Sequence, residues 1–156
     1  TGITLIHMDE QMDHGDVVYS RTFDIPEDMH FGDLFHSLSE LSAVACVDFF
    51  LQHYIPNTVQ SIVQPITGVT YCSKLNKPDF ELKTDETQLE WLRKIRAFSP
   101  LPGAYTHTER GRVKVLRAQM IDSQLVPLII QSEGKKPMPY SEYLRGHPRG
   151  LTLPLC

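Results

Sequence analysis

Cysteine is scarce: three residues, Cys46, Cys72 and Cys156, are scattered over 156 positions with no C-x-x-C pair. An odd, dispersed set excludes a disulfide scaffold and a structural zinc site, and it points to a reducing, cytoplasmic setting. The seven histidines show no HxH or HxxxH spacing, so no metal is expected. Unbroken apolar runs are short, and none is expected to span a bilayer. There is no basic start followed by a small-residue cleavage pattern, so no secretory leader is read. Methionine is missing at position 1, where Thr1 stands, and this is read as an upstream part removed or left out.

What is present is the composition of a core-forming protein, with 41% apolar and 22% charged residues. The formal net charge of −4 conceals a division. Residues 1–63 hold one basic residue, Arg21, against ten acidic ones, giving −9; residues 64–156 hold fourteen basic and nine acidic, giving +5. Such asymmetry between halves points to two units with different partners, the basic one suited to a polyanion.

Local patterns support the same division. Thr1–Met8 and Asp16–Ile25 read as strands around the polar loop Asp9–Gly15. Asp28 is an N-cap candidate for a helix over 29–54, with Leu34, Leu38, Leu41, Ala45 and Phe49 at three-to-four spacing. Positions 55–68, with two prolines and a closing glycine, read as a connector. A second helix is expected over 84–98, capped through Asp85 and Gln88, with Leu89, Leu92 and Ile95 buried and Trp91 flanking. Ala104–Thr108, Arg112–Ile121 and Leu125–Ser132 read as strands of a small barrel, separated by polar or glycine turns. The tail from Gly146 is expected to be loosely held.

Four strings, in order, resemble the C-terminal half of the methionyl-tRNA formyltransferase family: TGITLIHMDEQMDHGDVV (Thr1–Val18), VTYCSKL (Val69–Leu75), IRAFSPLPGAYT (Ile95–Thr106) and EGKKPMPYSEYLRG (Glu133–Gly146). The resemblance implies an α/β remnant, the C-terminal part of a Rossmann-like formyltransferase domain, over residues 1–62. It implies a small OB-like β-barrel that binds tRNA over residues 63–156. The family's Asn-x-His pair and SLLPxxRG segment do not occur. Phe80-Glu81-Leu82 stands where the family usually has Ile-Asp-Trp, and Leu101 where it has the Trp of a PWPG turn.

The resemblance also implies chemistry. Formyl transfer from 10-formyltetrahydrofolate to the amine of initiator methionyl-tRNA passes through an oxyanion, and a carboxylate must position the proton-transferring groups. Asp13 matches the family's catalytic Asp. Asp9, Glu10 and Met12 would lie against the pterin of the folate. Gly15 permits a close backbone approach or a positive φ, and His14 is read as facing solvent. This chain alone is expected to be inactive, because the Asn and His are missing; its partners would be the tRNA and the missing N-terminal half, with no membrane.

For tRNA, Lys74 and Lys77 lie at the barrel entry, and Arg110, Arg112 and Lys114 on or beside one strand, with Lys136 in the last turn. Arg112 and Lys114, two apart on a strand, share a face. Contact is expected to be with phosphates, with Tyr105 and Tyr71 packing internally. Two alternatives stay open: a sugar-nucleotide formyltransferase of the same superfamily, or a stand-alone RNA-binding module without catalysis.

Overall fold

The computed structural model describes residues 1–154. Leu155 and Cys156, at the end of the second expected domain, lie outside the described residues. Two compact units form: Thr1–Glu27 with Asp33–Ser73, and Asp28–Gly32 with the described residues from Lys74 onward. They part at Ser73/Lys74 rather than at the 62/63 join of the sequence reading, because Ile62 is still bridged to Val17 by paired backbone hydrogen bonds of 2.9 and 2.8 Å.

The first unit is an antiparallel hairpin and a long helix. Strand β1 (Gly2–Ile6) pairs with β2 (Val17–Thr22) from Gly2↔Thr22 to Ile6↔Val17, with one irregularity after Leu5. Helix α1 (Phe31–Phe49) continues as a π-helical turn over Phe50–Tyr54. Its expected stripe holds: Ala45 and Phe49 are buried, and Leu34, Leu38 and Leu41 are half-buried. Phe49 packs its ring 6.0 Å from Tyr19. Arg21 Nε donates to the Tyr19 hydroxyl at 2.9 Å, and its guanidinium pairs with Asp48.

The expectation of no membrane-length apolar segment needs correction. Phe31–Tyr54, a 24-residue helix holding an 18-residue window with a mean hydropathy of 1.4, is long and apolar enough to cross a membrane by length and composition. The apolar residues are interrupted by Asp33, Glu40 and Asp48, so they never form one unbroken run. A core helix passes the same measure as a membrane span.

The second unit is built on an open antiparallel sheet ordered β3-β4-β5-β6: β3 (Ala104–Thr108), β4 (Gly111–Ile121), β5 (Gln124–Ser132) and β6 (Met138–Pro139). The strands fall where the alternating pattern puts them. Asp122 and Ser123 both take positive φ, 49° and 63°, the mirror-image turn that joins two strands by two residues. In place of the expected OB-like barrel, the sheet stays open among the described residues. Its last strand is two residues long and passes directly into helix α3 (Tyr140–Gly146).

Helix α2 (Gln88–Phe98) packs on this sheet. The capping box is formed by Thr87 and Glu90 rather than by Asp85 and Gln88. The Thr87 backbone and hydroxyl donate to the Glu90 carboxylate at 2.7 and 2.8 Å and hold its pKa below the ordinary value. The helix starts later than expected, and its buried face is centred on Trp91 rather than on Leu89 and Leu92. Trp91 and Ile95 are wholly enclosed and Gln88 is buried, while Leu89 is 47% exposed. The Trp91 indole donates to the Lys83 carbonyl at 2.7 Å, satisfying its one polar group inside the core. Leu82, where the family usually has Trp, joins the same core.

As far as Pro154, the tail is not loose. Leu151 and Pro154 are buried, Leu151 N donates to the Tyr140 hydroxyl at 2.8 Å, and Gln88 Nε2 donates to the Pro154 carbonyl at 3.0 Å. Gly150 lies so close to Tyr140 that an added Cβ would come within 2.4 Å of its hydroxyl.

Candidate functional site

Two groups of residues carry the expected chemistry, one in each unit. In the first, the loop between β1 and β2 is closed by backbone contacts. His7 N donates to the Asp16 carbonyl at 2.9 Å, and a Cβ at Gly15 would fall 1.6 Å from the His7 carbonyl oxygen. Gly15 is thus required by close approach, whereas the positive φ of the turn, 55°, is taken by Asp13 itself. Gln64 ties the loop from the connector, its Nε2 donating to the carbonyls of Asp13 at 3.0 Å and Gly15 at 2.7 Å. Ser61 donates to the Asp16 carboxylate at 2.9 Å.

Within the loop, Asp9 has a turn-making role that the sequence did not reveal. One carboxylate oxygen accepts from Gln11 N at 2.8 Å, and the other meets His14 Nδ1 at 2.6 Å. These bonds, that of His14 first, hold the Asp9 carboxyl below its ordinary pKa. His14 faces solvent as expected, 60% exposed, and is also half of this pair. Glu10, Met12 and Asp13 are all exposed, Met12 to 92%. The loop therefore presents Asp13 and the Met12 thioether outward from a rim fixed by Asp9, His14, Gly15 and Gln64.

In the second unit, the β3–β4 register puts Tyr105 opposite Lys114 and His107 opposite Arg112. Val113 and Val115, between the basic residues, point into the core and are buried; Arg112 and Lys114 share the outer face, as expected. The Arg112 guanidinium lies over the Tyr105 ring at 5.4 Å from its centroid. Tyr105 is half-buried on this face rather than in the core; its ring meets His107 edge-on at 5.6 Å, and its hydroxyl donates to the Lys77 carbonyl at 3.3 Å. Lys114 lies opposite Gln131 of β5. A shallow hollow of about 140 Å³ is lined by Arg112, Lys114 and residues 131–134. His107 and Gln131 were not singled out from sequence, and Tyr105 was read only as internal packing, yet the register follows from the turns: two residues between Thr108 and Gly111 fix which side chains stand opposite.

The other expected contacts divide. Lys74, Lys77 and Lys136 are exposed. Arg110 turns away to helix α3, its Nη1 3.3 Å from the Gly146 carbonyl and 3.4 Å from His147 Nε2. There it meets the C-terminal end of α3, where His147 stacks on Tyr143 with centroids 4.0 Å apart. Lys94 is tied to the Glu81 carbonyl at 2.8 Å and to Glu86. Arg96 donates to the Met29 carbonyl at 3.3 Å. Both are structural braces. Among the described residues no three His, Cys, Asp or Glu side chains gather as a metal site.

The second unit is thus an open antiparallel sheet that carries Arg112 and Lys114 on its outer face, and the first unit carries the acidic turn. Residues 74–126 match the family described as Formyl transferase, C-terminal domain. The chain belongs to the formyltransferase family, and its curated relatives are methionyl-tRNA formyltransferases. That of Acidiphilium cryptum is 30% identical over 167 residues, covering 95% of this chain and 54% of the relative. The chain spans about half the length of the curated relatives it matches. Among solved structures, HypX from Aquifex aeolicus in complex with tetrahydrofolic acid superposes with a TM-score of 0.70 at 17% identity, over 99% of this chain and 32% of that one. Methionyl-tRNA formyltransferase from Clostridium thermocellum gives 0.57 at 18% identity, over 84% and 55%. These two likenesses concern the fold.

Proposed function

We propose that the chain is part of a methionyl-tRNA formyltransferase, which moves a formyl group from 10-formyltetrahydrofolate to the amine of initiator methionyl-tRNA. The observation that carries this reading is the outer face of β3–β5. Arg112 and Lys114 are aligned there in the region that matches the formyl transferase C-terminal domain. Two cations on one rigid strand suit phosphate contacts, which position a nucleic acid without reading its sequence. Lys74, Lys77 and Lys136, exposed in the same unit, would extend the contact. Arg110 would contribute less, since its guanidinium is engaged at the end of α3. The open sheet would serve as the tRNA-binding domain in place of a closed barrel.

The acidic loop supplies the one-carbon side of the reading. Asp13 would act with a His and an Asn from the remainder of the enzyme, orienting the imidazole and taking part in proton transfer as the amine attacks. The exposed Met12 thioether and the loop backbone at Glu10 suit a flat pterin ring. Asp9 would hold the loop in shape for that contact, because both its oxygens are committed to the turn. By itself the chain would transfer nothing, lacking the Asn-x-His pair.

The test is direct. The 156-residue chain should bind initiator tRNA weakly at low salt, with affinity falling steeply as salt rises, and Arg112→Ala with Lys114→Ala should weaken it further. Absence of binding at low salt would favour a sugar-nucleotide acceptor instead. In the complete enzyme, Asp13→Asn should reduce turnover severely and leave tRNA affinity nearly unchanged; retained turnover removes Asp13 from the mechanism.

A further inference from the structure

The hollow beside Arg112 already contains an anion of its own. Glu133 Oε1 accepts from Arg112 Nη2 at 3.0 Å, and the Glu133 backbone N–H donates to the Arg112 carbonyl at 3.1 Å. The tight turn that follows, with Lys135 N bonded to the Ser132 carbonyl at 3.0 Å and Gly134 at φ 71°, fixes Glu133 opposite Arg112. On its other side the guanidinium rests on Tyr105. Arg112 is thereby held in one orientation, its fork turned toward a carboxylate that shares the hollow with Lys114. A planar carboxylate and a tetrahedral phosphodiester each spread one negative charge over two oxygens that an arginine fork can meet, so a site that holds one suits the other.

We propose that this hollow is a phosphodiester subsite for RNA, occupied in the free protein by Glu133 acting as an internal stand-in. The proposal rests on the reading of this face as an RNA-binding surface. The Glu133 side chain is 62% exposed and that of Arg112 is 38% exposed, so the pair is of the weak surface kind that a phosphate displaces at little cost. While it stands, it keeps Arg112 stacked and pointed. Once displaced, Glu133 turns to solvent, and Lys114 balances the incoming charge. The residue would thus set a threshold: weak anions leave it in place, and a polyanion held by several contacts at once removes it.

The experiment uses the full chain, and its probe is a short RNA hairpin followed by fluorescence anisotropy across a salt series. Glu133→Gln should bind the hairpin about three- to tenfold more tightly, and Glu133→Ser should do the same, which guards against one variant failing to fold. In an Arg112→Ala background the same change should lose most of its effect. Inorganic phosphate at millimolar concentration should not compete in the unaltered chain, and should begin to do so in Glu133→Gln. If Glu133→Gln and Glu133→Ser leave affinity unchanged, or tighten it equally with and without Arg112, the subsite is overturned. Arg112→Ala and Lys114→Ala would still report whether the face binds RNA at all. If those two variants also leave affinity unchanged, the broader reading fails with it.

Discussion

In the second unit, Trp91, Ile95, Val115 and Ile130 are fully enclosed between α2 and the sheet. In the first, α1 buries Ala45 and Phe49, while Val44, Val47 and Leu51 stand 52–61% exposed along the same helix. One unit closes a core with its own residues; the other buries a single stripe and leaves a second apolar face uncovered. The charges follow the same division, acidic in the first and basic in the second. A chain segment that satisfies its own apolar surface can carry a surface function such as polyanion binding. The acidic loop lies in the unit that leaves apolar surface exposed.

The largest effect that would sharpen this contrast is in the core. Trp91→Ala should cost about 3–5 kcal/mol, whereas Val47→Ala on the exposed side of α1 should stay within about 0.5 kcal/mol. Denaturant melts of the two variants measure the difference, and equal costs would erase the distinction. Next comes Gly15→Ala. Its Cβ cannot coexist with the His7 carbonyl, so the β1–β2 loop must open at about 1–3 kcal/mol. Amide exchange should rise across residues 7–16 and stay unchanged in β3–β5. Thr87→Ala, which removes the α2 cap, should cost about 1 kcal/mol and lower the melting temperature without changing the sheet.

The smallest effect depends on pH. The folded pKa of Asp9 lies below its ordinary value of 3.8. The contribution of its bonds to Gln11 and His14 is therefore fully present above that value and is lost as pH falls through the lower, folded one. NMR of the His14 ring should report the loss of loop order only below the usual carboxylate range, and a midpoint at 3.8 or above would contradict the pairing. Asp9→Asn should abolish the transition.

The strands of the second unit were legible because their signal is local. Alternation put Val113 and Val115 on one side and Arg112 and Lys114 on the other. The Asp122-Ser123 turn announced the hairpin that follows. The loop Asp9–Gly15 was legible for the same reason, as was the stripe from Leu34 to Phe49. The face of α2 was misread because Leu89 was taken as a core position and Trp91 as its flank; Gln88, Trp91 and Ile95 share a side at helical spacing, and packing against the sheet decides which side is buried. Burial of Gln88 was not readable either. It depends on the Leu125 N–H and the Pro154 carbonyl, 37 and 66 residues away, which satisfy its amide. The tail was misread on composition alone; Pro and Gly near a terminus look loose until Tyr140 is placed over them.

By itself the sequence determined the division of charge, the hairpins, the two outward cations of β4 and the order of motifs that resembles a formyltransferase. Each is set by neighbours along the chain or by a period of two or 3.6 residues. Only the tertiary structure decided that the sheet stays open, that Arg110 braces α3, that Asp9 is committed to His14 and that Glu133 stands in front of Arg112. Those outcomes depend on which distant groups meet. A charged side chain takes whichever partner the fold brings within hydrogen-bond reach, and that choice is not written in its own neighbourhood.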